Sequence, residues 1–353
     1  MFQLAAPLVA SLSMSMPTAA NDHPTPMPEI PASLAPSMPE DSHTQCLPGD
    51  HAPIGVMEVR CPMDKQWMVS FRSMYTHSQG MQSGTDHVSV GDVLAQGYMQ
   101  APTSMSMWMQ ELGAMYAIDD RLSVMASVPW VDNTMKMTLN TGEKFSMRAS
   151  GVGDVMAGLG YTLWSSGSNR VDVGANVSFP TGSIHQRQDT PGCPDCKLEY
   201  PMQLGSGTYD LIPSIAYHGR ADAWSFGAQA EGRIHLDHND VGYALGDRFD
   251  ATTWVGREWS ERWSSSLRFE GARWGNVRGS DPELDPTMSP TNDATKQGGT
   301  RVDVAIGTNW LPFSGRLSGS MIGIEAGVPI AQDLSGPQPA VDWFATLGML
   351  ICF

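Results

Sequence analysis

Residue types able to do chemistry gather in the first half of the chain. Met105, Met107 and Met109 set three thioethers two residues apart, and thioether sulfur is a soft ligand that favours Cu(I). His77 and His87, with Met81 between them, add imidazole and sulfur nearby. Cys193-Pro194-Asp195-Cys196 is spaced for a small loop-closing disulfide in an oxidising compartment, or for half of a metal site. It lacks the βαβ context of a thioredoxin-like redox motif. Asp281, Glu283 and Asp285, with Asp293 beyond, offer oxygen ligands of the kind Ca²⁺ takes, but without the EF-hand spacing or its Gly. They read instead as a solvated acidic loop that concentrates cations. No G-x-S-x-G, HExxH or P-loop is present, so no catalytic residues and no enzymatic activity are expected.

The elements that would carry these residues are set by composition and period. The chain has 353 residues, 41% hydrophobic and 16% charged, with a net charge of −16. An acidic chain of this kind lacks the basic face that nucleic acid requires. No uninterrupted apolar run is long enough for a transmembrane helix, which leaves a soluble chain or a β-barrel. Residues 1–20, an apolar stretch running into Thr18-Ala19-Ala20, have the shape of a secretory signal without its basic start. Residues 21–62, rich in Pro, Ser and Met and carrying His23, His43 and His51, read as a flexible leader. The five Cys, at 46, 61, 193, 196 and 352, are odd in number and scattered, so they make no disulfide framework.

Residues 63–353 keep a strict period of two, which puts alternate side chains on opposite faces of a strand. In Arg301–Leu311, Val302, Val304, Ile306 and Trp310 oppose Arg301, Asp303 and Asn309. Twelve such segments are expected: 65–75, 103–117, 121–131, 152–164, 169–180, 208–218, 222–236, 248–259, 262–274, 300–311, 317–329 and 341–353. They exceed the five or six residues of an ordinary strand and suit a bilayer crossing. Short connections follow the even-numbered segments and long ones the odd-numbered, as short periplasmic turns and long external loops do in outer-membrane barrels. The fold expected is therefore all-β, a transmembrane antiparallel barrel of about 12 strands in the bacterial outer membrane. Val341, Trp343, Ala345, Leu347, Met349, Ile351 and Phe353 would face lipid. The terminal Phe353 resembles the C-terminal signal read by the barrel assembly machinery, which makes that machinery and outer-membrane lipid the expected partners.

Ser178-Phe179-Pro180-Thr181-Gly182-Ser183, Gly207-Thr208-Tyr209-Asp210, Gly242 through Arg248, Asp281 through Pro286 and Gly151-Val152-Gly153-Asp154 carry a family likeness. In them the chain resembles, over roughly 52–353, Gram-negative outer-membrane β-barrels described as transporters or as "MetA-pathway of phenol degradation" proteins. The resemblance implies a barrel and passage of a solute. It carries no binding residues over.

If the apolar set meets lipid, the opposite set lines the lumen. Glu231, Arg233, Arg268 and Glu270 belong to it, either as a structural charge network or as a polar path. So do Met68, Arg72, Met74, Met105, Met107, Met109, Glu111, Met115, Met125 and Met156 on the first four strands. Fifteen of the 24 Met lie between residues 57 and 156. Met here is open to three readings: adaptable packing of an irregular interior, a track for apolar or aromatic solutes, or a soft-ligand path for Cu(I) in which His77 and His87 join Met105, Met107 and Met109. An outer-membrane lipase would need Ser and His together at the outer rim on the lipid side, whereas His218 and His235 both read as lumen-facing. Three functions follow: a porin-like channel or transporter for a small solute, a copper-binding or copper-transporting barrel without other cofactors, and a structural barrel without transport.

Overall fold

The computed structural model describes residues 47–57 and 67–353. Eleven elements close into one antiparallel ring: β1 (Trp67–Gly84), β2 (Gln100–Ala117), β3 (Leu122–Leu139), β4 (Val155–Ser166), β5 (Asn169–Phe179), β6 (Tyr209–Ala221), β7 (Trp224–Leu236), β8 (Arg248–Ser260), β9 (Trp263–Trp274), β10 (Gly299–Trp310) and β11 (Met321–Cys352). Each pairs with its sequence neighbour, and β11 pairs back onto β1 from Met68↔Cys352 upward. Trp67 and Phe353 exchange backbone hydrogen bonds of 3.1 and 2.9 Å at the seam.

β11 is two passes in one ribbon. Its first part runs antiparallel to β10, from Ile322↔Trp310 to Leu334↔Gly299, and its second part runs antiparallel to β1 down to Cys352. Because β1 and β10 run in opposite directions, the ribbon must reverse near Gly336, and the wall is crossed twelve times. Residues 330–340, expected as a loop, are instead the tip of this continuous ladder.

Other outer connections are also more ordered than their polarity suggested. β1 continues to Gly84, and β3 continues to Leu139 and pairs with Lys144–Val152 as a projecting hairpin. The expected loop 132–151 is this hairpin, in which Met135, Met137, Met147 and Ala149 point inward with at most 3% exposure. Above a bilayer the outward side of a strand need not be apolar, so Lys136 and Lys144 can alternate with Met without ending the ladder.

Burial across the wall is inverted relative to a soluble protein. Trp67, Leu112, Leu163, Ile215, Phe249, Leu267, Ile306 and Leu347 are exposed outside, whereas Arg72, Glu111, Asp172, Asp210, Arg268, Asp303 and Glu325 are buried inside. Among the described residues no helix is long and apolar enough to cross a membrane, and closed barrels cross by strands whose backbone groups are all paired. Ile306, outward in β10 between Leu267 and Ala326, is 68% exposed. Ile306→Arg should cost about 2–4 kcal/mol of folding free energy in a bilayer if it lies near the midplane. Urea titration of folding into vesicles would measure this, with Asp120→Arg on a short turn leaving the midpoint unchanged.

Candidate functional site: a plugged and capped lumen

The inner charges form a ladder whose unit is local. Four pairs sit two residues apart on one strand, hence on one face: Arg170–Asp172 at 2.7 Å, Arg248–Asp250 at 2.7 Å, Arg301–Asp303 at 2.9 Å and Arg268 with Glu270. Others cross strands: Arg72 meets its register partner Glu111 at 3.6 Å, and Arg233 meets Asp210 at 3.3 Å. Arg268 reaches over the small Ala305 to Glu325, with Nη2 2.7 Å from Oε1. Glu231 stands half-buried on the same face, one strand from its register partner Asp250. A buried charge persists only when paired. Glu325→Ala, which leaves Arg268 with Glu270 alone, should cost about 3–5 kcal/mol. The loss would appear as a lower midpoint of heat-modifiable gel migration.

Residues 47–57 enter this lumen from the short-turn rim. They belong to the stretch expected as a flexible leader, and here they are packed: His51, Ala52, Ile54 and Val56 are 1–3% exposed. Their backbone is held from the wall, with Asn309 Nδ2 donating to Ala52 O (3.1 Å), Arg72 Nη2 to Val56 O (3.3 Å), Gln229 Nε2 to Met57 O (3.1 Å) and Gly49 N donating to Glu258 (3.1 Å). His51 Nε2 lies 2.8 Å from the Gly319 carbonyl on the rim, and Asp50 pairs with Arg220 at 3.4 Å. Ile54 fits among Met68, Met115, Leu311, Met321, Leu350 and Cys352. A Cβ at Gly348 would stand 2.6 Å from Ile54, so only glycine permits this approach. The alternation of Ala52, Ile54 and Val56 was the one available signal of this insertion, and Pro-rich surroundings masked it. Residues 1–46 and 58–66, with the expected signal and Cys46 and Cys61, lie outside the described residues.

At the other rim the connection 181–207 folds over the opening. Its hairpin, Arg187–Thr190 with Cys193–Lys197, carries the Cys193–Cys196 disulfide, with Cα atoms 5.6 Å apart. Leu198, Met202 and Leu204 then pack on Met105, Met135, Met137 and Met147, and Asn133 Nδ2 donates to Pro201 O (3.2 Å). Lys197 and Asp281, both buried, pair at 3.0 Å and tie this cap to the connection 275–298. The acidic loop is thereby dispersed: Asp281 holds Lys197, Glu283 holds Arg187, Asp285 accepts from Thr287 and Asp293 accepts from Thr295. The carboxylates do not converge on a shared cation.

Glu199 sits in the cap at 2% exposure, accepting from Gln100 Nε2 (3.2 Å) and Thr291 Oγ1. Burial raises its pKa, outweighing the hydroxyl and amide donors that favour the carboxylate. An acid with a raised folded-state pKa contributes stability that is complete below its ordinary value, near 4.5, and lost as pH rises through the raised value. Hydrogen exchange at 198–204, corrected for intrinsic rate, should therefore quicken in the parent as pH rises above the ordinary carboxylate range. Glu199→Gln should flatten that dependence.

The methionine stripe divides into two packed groups. Met68 and Met115, with Met125 against them, surround Ile54 of the plug, and Met105, with Met109, supports the cap. Met74 faces Met109 across β1–β2, Met107 keeps 36% of its surface open, and Met156 lies 3.6 Å from Arg233. The five-residue metal set of the sequence reading is not assembled. His77 belongs to β1 rather than to a loop, and it takes the outer face with its ring 6.2 Å from Trp343. His87 is exposed on the short strand Asp86–Val88. Among the described residues no three His, Cys, Asp or Glu gather as a metal site. Beside the inner end of the plug lies a chamber of about 40 Å³ lined by Met57, Met68, Arg72, Glu111, Met115 and Asn176, among others.

A closed antiparallel wall, apolar outside and charged within, defines a transmembrane β-barrel. The chain belongs to the family described as "Putative MetA-pathway of phenol degradation", whose model matches residues 81–289. No curated protein matches it. Among solved structures it is similar to the COG4313 outer membrane channel from Pseudomonas putida F1, with 13% identity, 84% of this chain and 100% of that chain covered, and a TM-score of 0.57. The β-domain of the Bordetella autotransporter BrkA shares 11% identity over 82% of this chain and 100% of its own, with a TM-score of 0.46. The NanC porin shares 8% over 80% and 98%, with a TM-score of 0.42.

Proposed function

We propose that the chain is an outer-membrane channel for a small solute, opened by withdrawal of residues 47–57 and displacement of the cap. The short turns then face the periplasm and the long connections the cell exterior. Residues 1–20 direct export, and the last strand, ending at the outward Phe353, supplies the assembly signal. One observation carries this reading: the stopper is a separate segment, in none of the wall's strand pairings, held by side-chain hydrogen bonds to its backbone and by packing of Ala52, Ile54 and Val56. Such a segment can leave without dismantling the ladder, whereas a purely structural barrel would fill its interior from the wall.

The upper lumen favours an apolar or aromatic solute. Met105, Met107 and Met109 present flexible, polarisable surface below the cap. The same sulfur atoms serve as packing in the closed state, so the two uses are compatible.

Single-channel recording in planar bilayers tests the reading. The parent should show small or infrequent steps, and deletion of residues 47–57 should give larger, steady ones. Silence from the deleted form, with folding confirmed by heat-modifiable migration, would overturn the channel and favour a structural barrel.

A further inference from the structure

Five methionines that share no local motif meet around the central chamber: Met57 of the plug, Met68 of β1, Met115 of β2, Met125 of β3 and Met156 of β4. Three of them form a row. Met68 faces Met115 across β1–β2, and Met115 faces Met125 across β2–β3. Directly opposed residues have Cβ atoms about 4.5–5.5 Å apart, so thioethers on flexible stems can reach a common point. Cys352, the register partner of Met68 on the side away from Met115, is buried but lies off the chamber. Met321, equally buried, belongs to the same cluster.

On the outer wall the comparable positions hold Leu, Ile, Phe and Trp, with Leu112, Leu267 and Ile306 as examples. Sulfur is concentrated on the inner side, around a space of about 40 Å³ that an apolar core would have closed. That space suits a single desolvated ion better than an organic solute. Glu111 reaches it too, but Arg72 at 3.6 Å already engages that carboxylate, so a hard cation finds little there.

We propose that Met68, Met115 and Met125 bind one soft monovalent cation, Cu(I) or Ag(I). Thioether sulfur selects such ions over hard ones. The site is separate from Met105, Met107 and Met109, and it stands whether or not the barrel conducts.

The test uses refolded full-length protein in detergent, with Cys46 and Cys61 replaced by Ser so that their thiols do not compete. It is titrated anaerobically with Cu(I) against bicinchoninate and, separately, with Ag(I). One competing equivalent is expected. It should be lost in M68L/M115L/M125L and retained in M105L/M107L/M109L. Leu for Met conserves volume, so the fold should survive. X-ray absorption of the copper-loaded parent, which needs no variant, should show a shell of sulfur alone. No competing equivalent in the parent, an undiminished one in M68L/M115L/M125L, or a nitrogen and oxygen shell would overturn the proposal.

Discussion

Everything in this barrel depends on closure of the backbone ladder. In a bilayer an unpaired N–H or C=O has no water to turn to, so an open sheet edge is excluded. The Trp67–Phe353 exchange joins the two ends of the wall and makes every other strand an interior one. With the edges gone, the outer face is free to be apolar, and polar side chains are confined to the lumen.

That confinement creates a second problem, since a ring of inward charges must be paired in little space. The solution is largely local: an Arg followed two residues later by Asp or Glu puts both on one face of one strand, and it recurs on β5, β8, β9 and β10. Longer reaches, such as Arg268 to Glu325, need a small residue between, here Ala305. The plug uses the same polar wall. Arg72, Gln229 and Asn309 spend donors on its carbonyls, so wall and stopper satisfy one another.

Methionine serves both ends of the lumen because its stem adapts to irregular surroundings. At the short-turn rim it receives Ile54, and at the other rim it receives Leu198, Met202 and Leu204. In both interfaces flexible thioether stems fit around branched Ile and Leu side chains.

Apart from the hairpin within 122–152 and the ribbon through 330–340, the sequence by itself determined the wall strands, their antiparallel order and the side their residues take. These follow from a period of two. The inward assignment of Arg72, Glu111, Met115 and Arg268 needed nothing more. Tertiary structure decided what distance along the chain conceals: that residues 47–57 turn into the lumen, that 181–207 closes over it, and that Met68, Met115 and Met125 stand in one row while His77 faces away. Alternation reports only the side of the wall. Which residues share a level depends on the register of each pair and on segments folding back through space, and no local pattern encodes either.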